Sequence, residues 1–373
     1  MRIAYVYDPV YPEIPGGVQM RIWEVARRLA KKGHEIHIFG MHSWDGPKMI
    51  MREGVTIHGV CPPMALYRHG RRSFMEAIVF GIAVFIPLTD QSFDLIDCQH
   101  FPFFSAFSAK LSSIVRKTAL VMTWHEVWGD YWYEYLGRLG GIGKAVELLV
   151  ARMSPYDVAV SGLTADAFSR MSGKMCTIIP NGIDRDRILA VQPAKDLSDV
   201  IFAGRLIPEK RVDLLIEAIA LCKTDLPGIR CVIIGDGPEW EPLRQLARAR
   251  GVEDQVEFIG ALASHDEVFS RMKSSKVFAF PSTREGFGIA ALEALACGLA
   301  LVTVDHPANA AKAFVTTQQG ILSAPSPQAF AQAIRKALVC APQMKPYGIA
   351  FTESYDWQRI ADLQEEYYLR IAQ

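Results

Sequence analysis

The sequence predicts an α/β fold of two domains, each built on a parallel sheet, and three observations carry that expectation. Short β-branched or apolar runs alternate with longer segments of helical period, as in strand–helix–strand units. The rhythm breaks in the polar stretch 183–198, which contains Pro193, and restarts at Val200. The 373 residues, half of them apolar, suffice for two full hydrophobic cores.

In the first half, strands are expected near 2–8, 35–40, 55–60, 93–99, 117–124, 157–162 and 176–180. Helices fit between most of them, such as Val18 to Lys32 with Gly33 as its C-terminal cap. The second half repeats the pattern near 200–204, 230–235, 256–259, 277–280 and 300–304. The expected organisation is a domain 1–182, a linker 183–198, a domain 199–355, and a last helix within 356–373 that packs back on the first domain. The amphipathic run Trp357 to Ile371 supplies that helix. Two Rossmann-like domains facing each other would enclose an interdomain cleft. In such sheets ligands bind beyond the carboxyl ends of the strands, where loops enter helices.

Forty basic and forty acidic side chains cancel, so no overall field draws the chain to nucleic acid. Seven cysteines lie singly, without zinc or redox-dithiol spacing, which suits a reducing cytoplasm. The chain opens directly on the strand-like run Arg2 to Asp8, which argues against a secretory signal. Its longest apolar run, Ala77 to Leu88, is too short to span a bilayer.

The chemistry-bearing residues follow strands. After Val277–Phe280, the loop Pro281 to Gly288, with Glu285, Gly286 and Phe287, leads into a helix that carries Glu293. Glycines there let backbone N–H groups approach an anion, and the helix N-terminus adds a favourable dipole. Glu285 and Glu293 can accept hydrogen bonds, one from a sugar and the other from a ribose. After Val200–Ala203, Gly204-Arg205 and Lys210 can neutralise a diphosphate, Arg205 as a bidentate donor and Lys210 as a point charge. A solvated cationic loop is the plainer explanation of that cluster taken alone. Gly16-Gly17 opens the first long helix and admits close backbone approach or serves a plain turn. His125 follows the strand Leu120–Trp124, where it can hydrogen-bond a sugar, steady positive charge through its carbonyl, or serve structure only.

Taken in order, these residues resemble the retaining glycosyltransferases of the GT-B fold called family 4. The hallmarks are Gly16-Gly17, His125, Pro180-Asn181-Gly182-Ile183-Asp184, Gly204-Arg205 with Lys210, Ile234 to Pro238, Phe258-Ile259-Gly260, and Glu285 separated from Glu293 by seven intervening residues. The resemblance implies a nucleotide-diphosphate sugar donor carrying UDP or GDP, and no cofactor or metal. It implies that Arg205 and Lys210 bind the diphosphate, Glu285 the transferred sugar and Glu293 the ribose. Gly204, Gly286, Phe287, Gly288 and Asn181 would join the donor site, Gly16 and Gly17 would touch phosphate or acceptor, and His125 would lie beside the sugar. Gly260 and Ala261, within Ile259 to Leu262, would hold the base through backbone contacts. Where many relatives carry a glycine pair and a glutamate, this chain has Asp305 to Ala310.

Asp184-Arg185-Asp186 has the carboxylate spacing of metal-dependent transferases, but it belongs to a turn, and the cationic pair performs the metal's task. The acceptor is expected to be a glycan, a lipid-linked molecule or a small molecule. Arg68, Arg71 and Arg72 precede the apolar stretch Phe74 to Leu88, a pattern that suits peripheral docking at a membrane or a core helix with a solvated entry. The aromatic run Trp124 to Tyr135 is a second acceptor-facing candidate, or ordinary packing. Rival functions are a GT-B epimerase or phosphorylase and a nicotinamide-dependent oxidoreductase. The oxidoreductase is disfavoured because the first strand lacks Gly-x-Gly-x-x-Gly and Gly235 to Trp240 lacks the third glycine.

Overall fold

A computed structural model describes residues 1–68 and 71–372, with the side chains of Tyr67, Arg68 and Arg71 outside that description. The chain forms two units, Met1–Gly182 with Trp357–Gln373, and Ile183–Asp356.

The first unit holds an eight-stranded sheet. Its order is Thr177–Ile178, Tyr156–Ala159, Ala119–Trp124, Leu95–Gln99, Arg2–Val6, Glu35–Met41, Val55–Cys61 and Met49–Arg52. Every pairing is parallel except the last. The strand Arg2–Val6 alternates Ile3 and Tyr5 to one face with Ala4 and Val6 to the other, so both faces are covered. The helices Gly17–Lys31 and Trp357–Ala372 cover one face through Ile22, Trp23, Leu29, Trp357, Ile360 and Tyr368. The helices Phe74–Thr89, Phe104–Arg116, Gly140–Ala151 and Gly162–Ser172 cover the other through Phe80, Val84, Ala106, Val150 and Phe168.

The terminal helix Trp357–Ala372 is bound to the first unit by polar contacts as well as packing. Arg21, buried, donates to Gln364 at 3.0 Å, and Lys32 pairs with Asp362 at 2.6 Å. Tyr368 donates to the buried carboxylate of Asp97 and lies 3.1 Å from the Tyr5 hydroxyl.

The second unit is a six-stranded parallel sheet in the order Val256–Gly260, Cys231–Ile234, Val200–Ala203, Val277–Phe280, Ala300–Val304, Gly320–Ser323. The chain winds outward one way from Val200–Ala203, then returns beside it and winds the other way. Strand order therefore reverses between Val200–Ala203 and Val277–Phe280, which is where doubly wound sheets open a crevice. The loops on one side of this point are braced backbone to backbone. Gly204 N–H donates to Ile234 O at 3.0 Å, Gly235 N–H to Gly260 O at 2.9 Å, and Leu206 N–H to Asp236 O at 2.9 Å. A Cβ on Gly235 would lie 1.8 Å from the Gly204 carbonyl oxygen, at a φ of +136° that favours glycine.

Two expectations are corrected here. Residues 183–198 are not a free linker: they belong to the second unit and contain the helix Arg185–Ala190, capped by Asp184, which accepts the Arg187 N–H at 3.2 Å. A six-residue helix is too short to give a readable apolar period, so the segment looked merely polar. The crossings between units fall at Gly182–Ile183 and Asp356–Trp357. The second correction concerns the arginines. Arg72 forms ion pairs with the fully buried Asp8 and Glu76, so its charge is committed inside the first unit rather than to lipid headgroups. The side chains of Arg68 and Arg71 lie outside the described residues.

Substituting Gly235→Ala forces the strand-end loops apart. The variant is expected to lose about 3 kcal/mol or more of stability in urea unfolding, whereas Gly162→Ala, with open space around its Cβ, should cost little.

Candidate active site

The second unit brings together most of the residues singled out from sequence. Lys210 lies in a single 3-10 turn, Pro208–Lys210, after the strand Val200–Ala203, and Glu285 lies in the loop after Val277–Phe280. Their side chains form an ion pair across the strand-order reversal, both largely shielded from solvent. The Lys210 ammonium also sits 5.2 Å above the Phe280 ring, a cation–π contact that fixes its direction. The exposed Arg205 side chain belongs to the same strand-end loop.

Backbone contacts hold the loop Pro281–Gly288 from both sides. Thr283 N–H donates to Glu209 O at 2.9 Å, tying it to the Lys210 turn. Glu285 N–H donates to Ala308 O at 2.9 Å and Ala310 N–H to Glu285 O at 3.0 Å. Asn309 is the keystone of that second brace. Fully buried, it donates to Thr303 Oγ1 at 3.0 Å and Val304 O at 2.9 Å, and accepts from Ala311 N–H at 3.1 Å. The segment Asp305–Ala310, which departs from the family pattern, thus positions Glu285. Nothing short of tertiary structure links Asn309 to Glu285, although a lone Asn after a buried strand is a cue for a turn cap.

Gly288, with φ +96°, caps the helix Ile289–Ala296, which has no acidic residue in its first turn and no side-chain cap. Its N-terminal N–H groups and dipole favour an anion. A Cβ at Gly288 would come 2.7 Å from the Ala311 Cβ. Phe287 is buried edge-on against Phe314, with ring centroids 5.1 Å apart, and anchors the loop. Gly260 has φ +85° and ends its strand, followed by the exposed Ala261.

The Glu293 carbonyl accepts from the Cys297 N–H at 2.9 Å, but its side chain has no hydrogen-bond or ion-pair partner among the described residues. Burial pushes its carboxyl up to about 8, opposed only by the field of Arg187. A shielded carboxyl with no donor gains from any ligand that brings hydroxyl groups to it.

In the first unit, Gly16 is extended at the N-cap of Gly17–Lys31, and the buried Gln19 side chain folds over it. Asn181 lies in this unit, where its Oδ1 accepts from the buried Arg21 at 3.2 Å. Its side chain thereby joins the Arg21 network.

His125 sits at the end of a relay that sequence did not reveal. Asp97 accepts from Tyr368, from Thr123 Oγ1 at 2.8 Å and from Gln99 Nε2 at 2.9 Å. Gln99 must then turn its oxygen to His125 Nε2, at 2.7 Å, so that Nε2 carries the proton and Nδ1 the lone pair. Burial and the neighbouring His100 and Arg21 hold His125 well below its ordinary range, so the ring is neutral at pH 7. Its carbonyl accepts from Thr164 Oγ1 at 3.4 Å. Gln99 and Asp97 alternate with apolar residues on a buried strand, the one signal that could have marked them.

Much of the aromatic run beyond His125 is structural. The fully buried Glu147 accepts from Trp128 N–H at 2.8 Å, Gly129 N–H at 2.9 Å and Trp132 Nε1 at 3.1 Å, and Trp132 is buried among Phe103 and Trp128. Asp184 is spent as a helix cap, and no three His, Cys, Asp or Glu side chains among the described residues gather as a metal site. No described helix is long and apolar enough to cross a membrane.

Two family descriptions match successive parts of the chain: Glycosyltransferase Family 4 over residues 15–187 and Glycosyl transferases group 1 over 184–350. The chain belongs to glycosyltransferase family 4. The transferase is similar to a phosphatidylinositol N-acetylglucosaminyltransferase subunit of Arabidopsis thaliana, 25% identical over 99% of this chain and 82% of that one. It also resembles a glycogen synthase of Mycobacterium tuberculosis, 31% identical over 62% of this chain and 58% of that one. Among solved structures, sucrose-phosphate synthase from Thermosynechococcus elongatus shares its fold, with a TM-score of 0.84, 18% identity, and 99% and 98% of the two chains covered. The fold is GT-B.

Glu293 gives the site a pH signature. Its carboxyl titrates near 8 in the folded chain against an ordinary value of 4.5, so the stability contributed by its neutral form is complete below about 4.5 and is lost as the pH rises through 8. Glu293→Gln should therefore melt a few degrees above the parent enzyme at pH 8.5, with the difference shrinking toward pH 5, as read by calorimetry.

Proposed function

We propose that the transferase moves a sugar from a UDP- or GDP-linked donor to a lipid-linked or glycan acceptor, with retention of anomeric configuration and without a metal ion. The observation that carries this reading is the Lys210–Glu285 pair spanning the strand-order reversal, beside the uncapped helix N-terminus at Gly288. A diphosphate fits the cationic side of this arrangement. Lys210 and Arg205 supply fixed and bidentate positive charge, and the helix N-terminus supplies N–H donors. Glu285, drawn from Lys210 as phosphate takes the ammonium, accepts from sugar hydroxyls. Glu293 accepts from the ribose diol, which favours its ionised form and pulls its proton off.

Transfer breaks the bond between the anomeric carbon and the diphosphate oxygen and forms one to an acceptor oxygen. Negative charge grows on the departing oxygen, where Arg205, Lys210 and the helix N-terminus stabilise it more in the transition state than in the bound donor. Attack on the face the diphosphate leaves, with the departing phosphate taking the acceptor's proton, accounts for retention. The cationic pair takes over the charge neutralisation that a divalent ion otherwise supplies. His125, neutral with Nδ1 as acceptor, would accept from a hydroxyl on the acceptor side.

A lipid-linked acceptor is favoured because the relative that aligns over 99% of the chain is named for phosphatidylinositol, whereas the glycogen synthase aligns over 62%.

Lys210→Ala and Arg205→Ala should each lower kcat/KM with a nucleotide sugar by about 100-fold or more, and turnover should survive excess chelator. Unchanged turnover in both variants, loss of activity in chelator, or an inverted product would each overturn the corresponding part of the reading. Donor binding by calorimetry should release a proton below pH 8 and strengthen toward pH 8, and Glu293→Gln should abolish that release.

A further inference from the structure

The helix Phe74–Thr89 carries no charged side chain after Glu76, which is itself buried. A helix apolar all round belongs inside a protein, yet only one side of this one is covered. Phe80, Val84 and Leu88 pack on the sheet, while Met75, Ile82 and Ile86 face outward, Ile82 with 71% of its surface exposed. Its neighbour Phe104–Arg116 repeats the pattern: Ala106 and Ala109 face the sheet, and Phe107, Leu111 and Ile114 face outward. The two helices lie in one layer and touch closely. Ser108 donates to the Gly81 carbonyl at 2.5 Å, and a Cβ on Gly81 would meet the Phe104 backbone at 2.9 Å. Their outward stripes therefore adjoin as one apolar face, far from the isolated surface leucines that need no explanation.

Charge identifies what covers it. The helix Phe104–Arg116 has no acidic residue, and Lys110, Arg116 and Lys117 stand on or beside its outward stripe. Asp90 lies past the end of the companion helix, and Asp94 beyond it accepts from the Arg2 N–H at 2.7 Å. A second copy of the chain seated here about a two-fold axis would set these cations against themselves. An anionic lipid surface would instead take the apolar stripes among its acyl chains and the cations at its phosphates. We propose that this two-helix face is the surface by which the transferase docks on an anionic membrane. The arginines expected from sequence to do this do not supply the docking charge at Arg72, which is paired with Asp8 and Glu76. The same face would bring the enzyme to a lipid-linked acceptor, so the choice of lipid over protein rests in part on the proposed acceptor class.

Vesicle flotation of the full chain without donor tests the surface apart from catalysis. Vesicles of phosphatidylcholine with about one-third phosphatidylglycerol should float the parent protein, and pure phosphatidylcholine should float several-fold less. Binding should also fall several-fold between about 0.1 and 0.5 M salt. The triple variant Ile82→Ser/Ile86→Ser/Leu111→Ser, all exposed positions, should bind about tenfold more weakly. Lys110→Gln/Lys117→Gln should lose binding to anionic vesicles only. Thermal shift with UDP or GDP should be the same for every variant, which separates this proposal from the donor assignment. Failure of the parent protein to float, or undiminished flotation of the serine variant, would overturn the docking surface. So would a lipid-free dimer that the serine substitutions dissociate.

Discussion

The strand order of the unit Ile183–Asp356 reverses between Val200–Ala203 and Val277–Phe280, and the ion pair of Lys210 with Glu285 spans that reversal. Because chain connections leave this gap in opposite directions, the two loops at its edge have no continuous backbone to align them. They are aligned by contacts. Glu209 accepts from the Thr283 N–H, Asn309 ties the far side of the loop to its own sheet, and the charges meet between them. The same strand ends that these contacts hold together carry the cations, the helix N-terminus at Gly288 and the carboxyl of Glu285, on the edge where doubly wound sheets bind ligands.

Two carboxyl groups in that site have opposite environments. Glu285 is held by a cation, whereas Glu293 faces burial with only the distant Arg187 to oppose it. The first has its charge matched by the Lys210 ammonium. The second carries a desolvation cost that no donor of the chain relieves. Pairing residues whose environments push them apart is how a single site distinguishes the parts of a ligand.

The first unit spends its buried polar groups on alignment. Tyr368 arrives from the C-terminal helix to occupy Asp97, which orients Gln99, which sets the proton on His125. The terminal helix is thus more than a cover for the apolar face it shares with Gly17–Lys31. Arg21 adds the opposing charge that keeps the Asp97 cluster tolerable in the core, and takes Asn181 into the same network.

The alternation of strand and helix, the break near residue 183, and the loops carrying Gly204 to Lys210 and Glu285 to Glu293 were all legible in the chain, because each depends on local pattern and short spacing. The strand Gly320–Ser323 was not, since it offers only Ile321 and Leu322 between a glycine and a serine where Val200–Ala203 and Val277–Phe280 are continuous apolar runs, and Gly320 is required only because a Cβ would meet the Leu301 carbonyl at 2.5 Å. Tertiary structure alone decided that Lys210 meets Glu285 across 75 positions of sequence, that Asn309 braces Glu285, and that Gln99 and Asp97 stand behind His125. It also separated the two sides of Phe74–Thr89, buried Arg72 with Asp8, and left Ile82 and Ile86 outward. The physical reason is common to these cases. Sequence fixes the conformation a segment prefers and the groups it carries, whereas the partner of a charge or an apolar stripe is set by which distant segments the sheets bring beside it.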